Sequence, residues 1–197
     1  MAYLKNEKSI VHFVVFCLVA NVVLSISSFV LIPPDFSQAF PIYPPNEVMI
    51  QQFGGSLSLA AFTVLGIKLA DEKKVMPAAG FTMLAISTGV LLISYFDITA
   101  IVSLESYVKF YYVSAAGNFL LLPALYLISS NEDFKPWVRF AGLIAIVPMV
   151  TATFVFLFGS RDFHLLESIS NTGFILFYLT QLSWANNLYS NLKRKSK

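Results

Sequence analysis

Long apolar stretches alternate with short charged ones along the whole chain. No Asp, Glu, Lys or Arg occurs in 9–34, 48–67, 75–96, 110–131, 140–160 or 168–192. Each gap holds a run of about 20 apolar-dominated residues, enough to cross roughly 30 Å of hydrocarbon as a helix. Backbone in contact with lipid must satisfy its hydrogen bonds internally. The pattern therefore predicts an all-α membrane protein, a six-transmembrane-helix bundle. Its approximate spans are 10–32, 48–69, 75–96, 110–129, 138–158 and 168–189, forming a single transmembrane domain over 1–197. A transmembrane barrel would show alternating segments of about 10 residues, and the runs do not alternate. The first run follows Lys5 and Lys8 as a secretory signal would. It is longer than such a core and has no small-x-small cleavage site, so it reads as a retained span.

Composition sharpens this picture. The chain is 57% hydrophobic and 12% charged, against about 25% charged in soluble domains. Cys17 is the only cysteine, so no intrachain disulfide or CxxC site can form. A net charge of +2 gives no reason to expect nucleic acid as a partner.

The charges also set an expected orientation. Eleven of the 13 bases fall on the N-terminus, the second and fourth connections and the tail; only Lys109 and Arg161 fall on the other side. By the positive-inside rule both termini are expected in the cytoplasm, with three helical hairpins pointing outward from a plasma (inner) membrane. The outer side carries Asp35, Glu47, Asp97, Glu105, Asp162 and Glu167 among many aromatic residues. These carboxylates read chiefly as solvated loop charges, on a rim able to attract cations. Each outward hairpin repeats an Asp, then a Glu, then a glycine: Asp35/Glu47/Gly55, Asp97/Glu105/Gly117, Asp162/Glu167/Gly173. Both a decayed threefold repeat and the ordinary needs of hairpins produce such a pattern.

Local signals add detail. The proline-rich stretch 33–47 is expected to be stiff and extended, with Asn46 capping the second helix. Residues 97–112 read as a short interfacial helix leading into the fourth span, with Glu105 and Lys109 paired at i, i+4. Gly54 and Ser58 form a small-xxx-small face suited to close helix packing.

Two groups of residues are candidates for chemistry. The first is Asp162, His164 and Glu167 in "GSRDFHLLESISN", a stretch that mixes metal-ligand and acid–base types. A catalytic zinc wants three protein ligands, but His12 is a membrane thickness away. The favoured reading is a hairpin tip with an Arg161/Asp162 pair, and no metal or other cofactor is expected. The second group is neutral and near mid-depth: Asn21, Ser58, Asn118, Thr151, Tyr178 and Gln181. Such residues either join helices by hydrogen bonds or line a cavity. Pro123 and Pro148 permit kinks in the fourth and fifth spans, so a cavity between these and the sixth is expected to include Thr151 and Gln181.

No span carries a mid-depth charge, which argues against a charged coupling site. Histidines on opposite sides exclude bis-histidine haem, and no span holds a lysine for a Schiff base. Three functions stay open. One is a facilitator, channel-like or binding protein for a neutral, lipid-like or cationic solute. Another is a non-catalytic accessory subunit of a larger membrane complex. The third, an outer-face lipid-modifying enzyme using Asp162, His164 and Glu167, is weakened by the lone outer histidine. Membrane lipids are the expected partners, with a second copy or a larger complex as further options.

Overall fold

The structure, a computed structural model, describes residues 7–37, 39–96, 103–160 and 162–195. Each charge-free run winds into one long helix: α1 (Glu7–Leu31), α2 (Pro45–Asp71), α3 (Val75–Phe96), α4 (Leu104–Ile128), α5 (Pro136–Leu157) and α6 (Phe163–Lys195). The described residues contain no strand, only an isolated bridge between Asp35 and Ile42. Helices α1 to α5 are each long and apolar enough to cross a membrane. Helix α6 is the longest, at 33 residues, but Ser170, Asn171, Thr172, Tyr178, Gln181 and Ser183 dilute its apolar content. It packs against α1 and α5 and buries Gln181, while the Thr172 and Ser183 hydroxyls bond carbonyls of their own helix.

The chain is a multi-pass membrane protein, and its surface explains how. Large apolar side chains stand exposed on every helix, among them Phe16, Phe53, Ile86, Tyr126, Ile144 and Ile175. Apolar cover on all sides of a bundle suits lipid, not water. Each helix packs on its neighbours in sequence, and α6 returns to α1, so the six close into a ring. The ring is plugged towards the end that carries the α2–α3 and α4–α5 connections. There Phe62, Phe81, Phe134, Phe177 and Trp184 stack edge-to-face and in parallel at centroid separations of 5.4–6.4 Å. Burial of several aromatic side chains dominates core energetics.

The same end is laced by charge. Lys68 reaches Glu7 at 3.9 Å and also pairs with Glu72, while Lys74 joins Glu72 at 2.8 Å and also Asp133. Burial opposes ionisation of Glu72, but Lys68 and Lys74 outweigh it and hold the carboxyl below its usual range. Lys73 turns the chain there with a left-handed φ of 61°.

Several local expectations are corrected. Asn46 does not cap α2; the cap position is Pro44, with proline at the first helical positions and no side-chain cap. Proline suits that position because its missing N–H would be unpaired there anyway. The loop before α2 is not simply extended: Asp35 and Ile42 exchange backbone hydrogen bonds of 2.9 and 3.0 Å. The Ser37 N–H bonds the Asp35 carboxylate at 2.8 Å and holds its pKa below the usual range. Helix α4 starts at Leu104, capped by Ser103, and runs into the span without a break. Glu105 and Lys109 pair at 2.7 Å on its exposed face. The expectations for Asp97 and Arg161 lie outside the described residues.

Candidate functional site: a tyrosine–carboxyl cavity between α1, α2 and α6

At the end of the ring opposite the aromatic plug, the chain buries two carboxyl groups. Glu167 sits one turn into α6 and is 6% exposed; Glu47 sits at the start of α2 and is 1% exposed. Glu167 Oε2 accepts a hydrogen bond of 2.7 Å from the Tyr107 hydroxyl of α4, and Oε1 accepts one from Tyr43, in the loop before α2. Tyr107 packs against Tyr111 and Phe163 at 5.2 and 5.0 Å. Tyr107 is thus held by aromatic packing where its hydroxyl meets the carboxyl. Glu47 is differently placed. It stands close enough to Glu167 for the two to interact electrostatically, yet its Oε2 is buried without a hydrogen-bond partner.

Both carboxyls border a cavity of about 340 Å³, within the usual range of small-molecule sites. Its mouth lies between helices, rimmed by Ile26, Phe29 and Val30 of α1 and Ile175 of α6. All four are exposed on the outside of the bundle. The opening therefore faces the side of the protein, where lipid chains would lie. Deeper in, the lining turns polar. Gln51 Nε2 donates to Ser28 Oγ at 2.8 Å, fixing the amide between α1 and α2. A narrower recess of about 80 Å³ shares Ser25, Gln51, Phe110, Phe174 and Tyr178 with the main cavity and reaches Asn21, Ser58 and Gln181. Below that lies the aromatic plug.

The sequence-derived candidates fall into distinct places. Asn21 Nδ2 donates to Gln181 Oε1 at 3.0 Å, and Ser58 Oγ donates to the same oxygen at 3.4 Å. Tyr178 lines both parts of the cavity. So Asn21, Ser58, Tyr178 and Gln181 come together, on α1, α2 and α6. Gly54 packs directly on Asn21, since an added Cβ would sit 2.8 Å from Asn21 Oδ1; the small face joins α2 to α1 within the chain. Asn118 lies elsewhere, bonded to Thr153 of α5 at 3.0 Å. Thr151 is exposed and bonds its own helix at Val147. The cavity expected among the fourth, fifth and sixth helices therefore lies instead between the first, second and sixth. Pro123 and Pro148 sit inside continuous helices, and neither lines this cavity or its recess.

The three outer candidates are not one constellation. Asp162 caps α6 by accepting from the Leu165 N–H at 3.0 Å. His164 is exposed, its ring 6.2 Å from Phe36. Glu167 turns inward to the tyrosines. Among the described residues no group of three or more His, Cys, Asp and Glu side chains is placed to hold a metal. The sequence pattern does not single out Glu47, Tyr43, Tyr107, Gln51 or Ser25 as site residues. Glu47 carried one signal, its place beside Glu167 in the hairpin pattern, but so did Glu105, which is exposed.

The shared acceptor in the recess makes Gln181 the joint between three helices. Gln181→Leu strands the buried Asn21 amide and Ser58 hydroxyl. In a membrane such bonds are worth about 0.6–2 kcal/mol. Asn118→Leu breaks one bond and removes the unpartnered Asn118 Oδ1 with it. Unfolding in mixed detergent is expected to show the larger loss for Gln181→Leu, with Asn118→Leu close to neutral.

Compared with protein-family models, with curated proteins and with solved structures, the chain finds no match.

Proposed function

We propose that this protein is a membrane-embedded binding protein for a lipid-like solute, which enters sideways from the bilayer between α1 and α6. The observation that carries the reading is the cavity itself: an apolar lateral mouth leading to a polar head site at Glu47, Glu167 and Tyr43. That gradient matches an amphiphile with its chain outward and its polar end inward. The aromatic plug beneath the recess favours a closed binding site over a continuous pore.

The test is native mass spectrometry of protein extracted from its membrane in mild detergent. The wild type is expected to retain an amphiphile. Ser170 lines the cavity from α6 and is only half-buried, so Ser170→Trp fills the space without reaching the core. That variant is expected to fold and lose the adduct. An adduct that survives Ser170→Trp, or a wild type that never carries one, contradicts the reading.

The orientation belongs to the same proposal. We read α6 as the sixth span, both termini as cytoplasmic and the membrane as the plasma (inner) membrane, on the asymmetry of bases. The tyrosine–carboxyl end then faces outward. In a Cys17→Ser background, Lys73→Cys is expected to resist a membrane-impermeant thiol reagent added to intact cells and to react once the cells are opened. Labelling from outside would reverse the orientation.

A further inference from the structure

Resting on the binding reading above, the unpartnered Glu47 oxygen narrows the chemistry of the ligand. We propose that the solute carries an N–H-bearing ammonium group at its polar end, and that Glu47 Oε2 accepts a hydrogen bond from it. A buried carboxyl oxygen without a donor is costly, and Glu47 is buried to 1% exposure while bordering the cavity. Glu167 beside it is already engaged by Tyr43 and Tyr107. These tyrosines hold the second carboxyl against the cavity without needing the ligand. Glu47 is the buried carboxyl whose Oε2 has no hydrogen-bond donor.

Charge points the same way. Two carboxyls face one small space, and no Lys, Arg or His among the described residues lines the cavity or its recess. An anionic head would find no cationic side chain in this lining, beside two carboxyl groups. A neutral hydroxyl could donate one hydrogen bond but would bring no opposite charge to the two carboxyls. An ammonium supplies both charge and donors, and hydrogen bonds between charged partners are the stronger kind. The requirement for N–H sets a primary amine apart from a quaternary ammonium, which has the charge but no donor. The exposed apolar rim of Ile26, Phe29, Val30 and Ile175 then takes the chain.

The experiment titrates dodecylamine, dodecyltrimethylammonium and dodecanol into the full-length protein in mild detergent, reading adducts by native mass spectrometry. The amine is expected to bind roughly tenfold or more tighter than either analogue, the scale of one charge-assisted hydrogen bond. Glu47→Gln is expected to erase the preference for the amine over the alcohol. Glu105→Gln, at an exposed position outside the cavity, is expected to change nothing. Equal binding of amine and alcohol by the wild type would overturn the ammonium assignment while leaving the lipid-like reading standing. Equal binding of primary and quaternary amines would overturn the hydrogen bond to Glu47. Because these comparisons use the wild type, they decide the matter even if Glu47→Gln does not fold. Failure of all three probes to bind would sink the lipid-like reading beneath it.

Discussion

Glu167→Leu is expected to destabilise the bundle by about 1–4 kcal/mol, since the buried Tyr107 hydroxyl left without an acceptor costs about 1–3 kcal/mol and the half-buried Tyr43 hydroxyl less. Tyr107 is fully buried and spends its hydroxyl on Glu167 at 2.7 Å; Tyr43 does the same from the loop before α2. Leucine fills part of the volume but accepts nothing. Glu167→Gln keeps one acceptor oxygen and should lose less. The mechanism has its own check, because removing the donors removes the penalty. Adding Tyr107→Phe to Glu167→Leu is expected to restore part of the lost stability, and a double-mutant cycle reads the coupling. Additive losses, with no recovery, would mean that the hydrogen bond is not what holds Glu167.

Gly80→Ala is expected to cost about 1–3 kcal/mol through overpacking. A Cβ at Gly80 would lie 2.8 Å from the Ala124 carbonyl and 2.9 Å from the Ile128 backbone nitrogen, both on α4. Backbone cannot swing aside as a side chain can, so α3 and α4 must separate. Gly89, further along the same helix, meets nothing within 4 Å. There alanine should gain up to about 1 kcal/mol from helix propensity alone. The matched pair changes the same atoms in the same helix, so opposite signs isolate close packing as the cause. Equal effects at the two sites, measured by unfolding in mixed detergent, would remove it.

The sequence made the helices legible because the bilayer leaves so few alternatives. Charge-free runs of spanning length force helix, and the Gly54/Ser58 spacing marked a close-packed face that α1 and α2 share. The end of the ring that holds the cavity was less legible. Glu47 and Glu167 stand at helix starts, where a carboxylate ordinarily meets water, and nothing local separates them from exposed Glu105. Their burial depends on the chain folding Tyr43 back onto Glu167, a partner 124 residues away. The Asp35–Ile42 bridge that shapes that loop leaves no periodic trace. Among the mid-depth polar residues, spacing could give depth but not azimuth. Asn21 and Asn118 sit at similar depths on their helices, yet one faces the recess and the other faces Thr153. The proline argument misplaced the cavity because a proline within a helix need not part it from its neighbours.

The most direct test of the lateral binding site is a crystal structure of the protein grown in a lipid phase, with attention to the space between α1, α2 and α6. The expected result is elongated density entering between Ile26 and Ile175 and ending against Glu47, with Tyr43 and Tyr107 still bonded to Glu167. A structure in which α1 packs against α6 along this face, closing the space with Phe29 and Phe174, would contradict it.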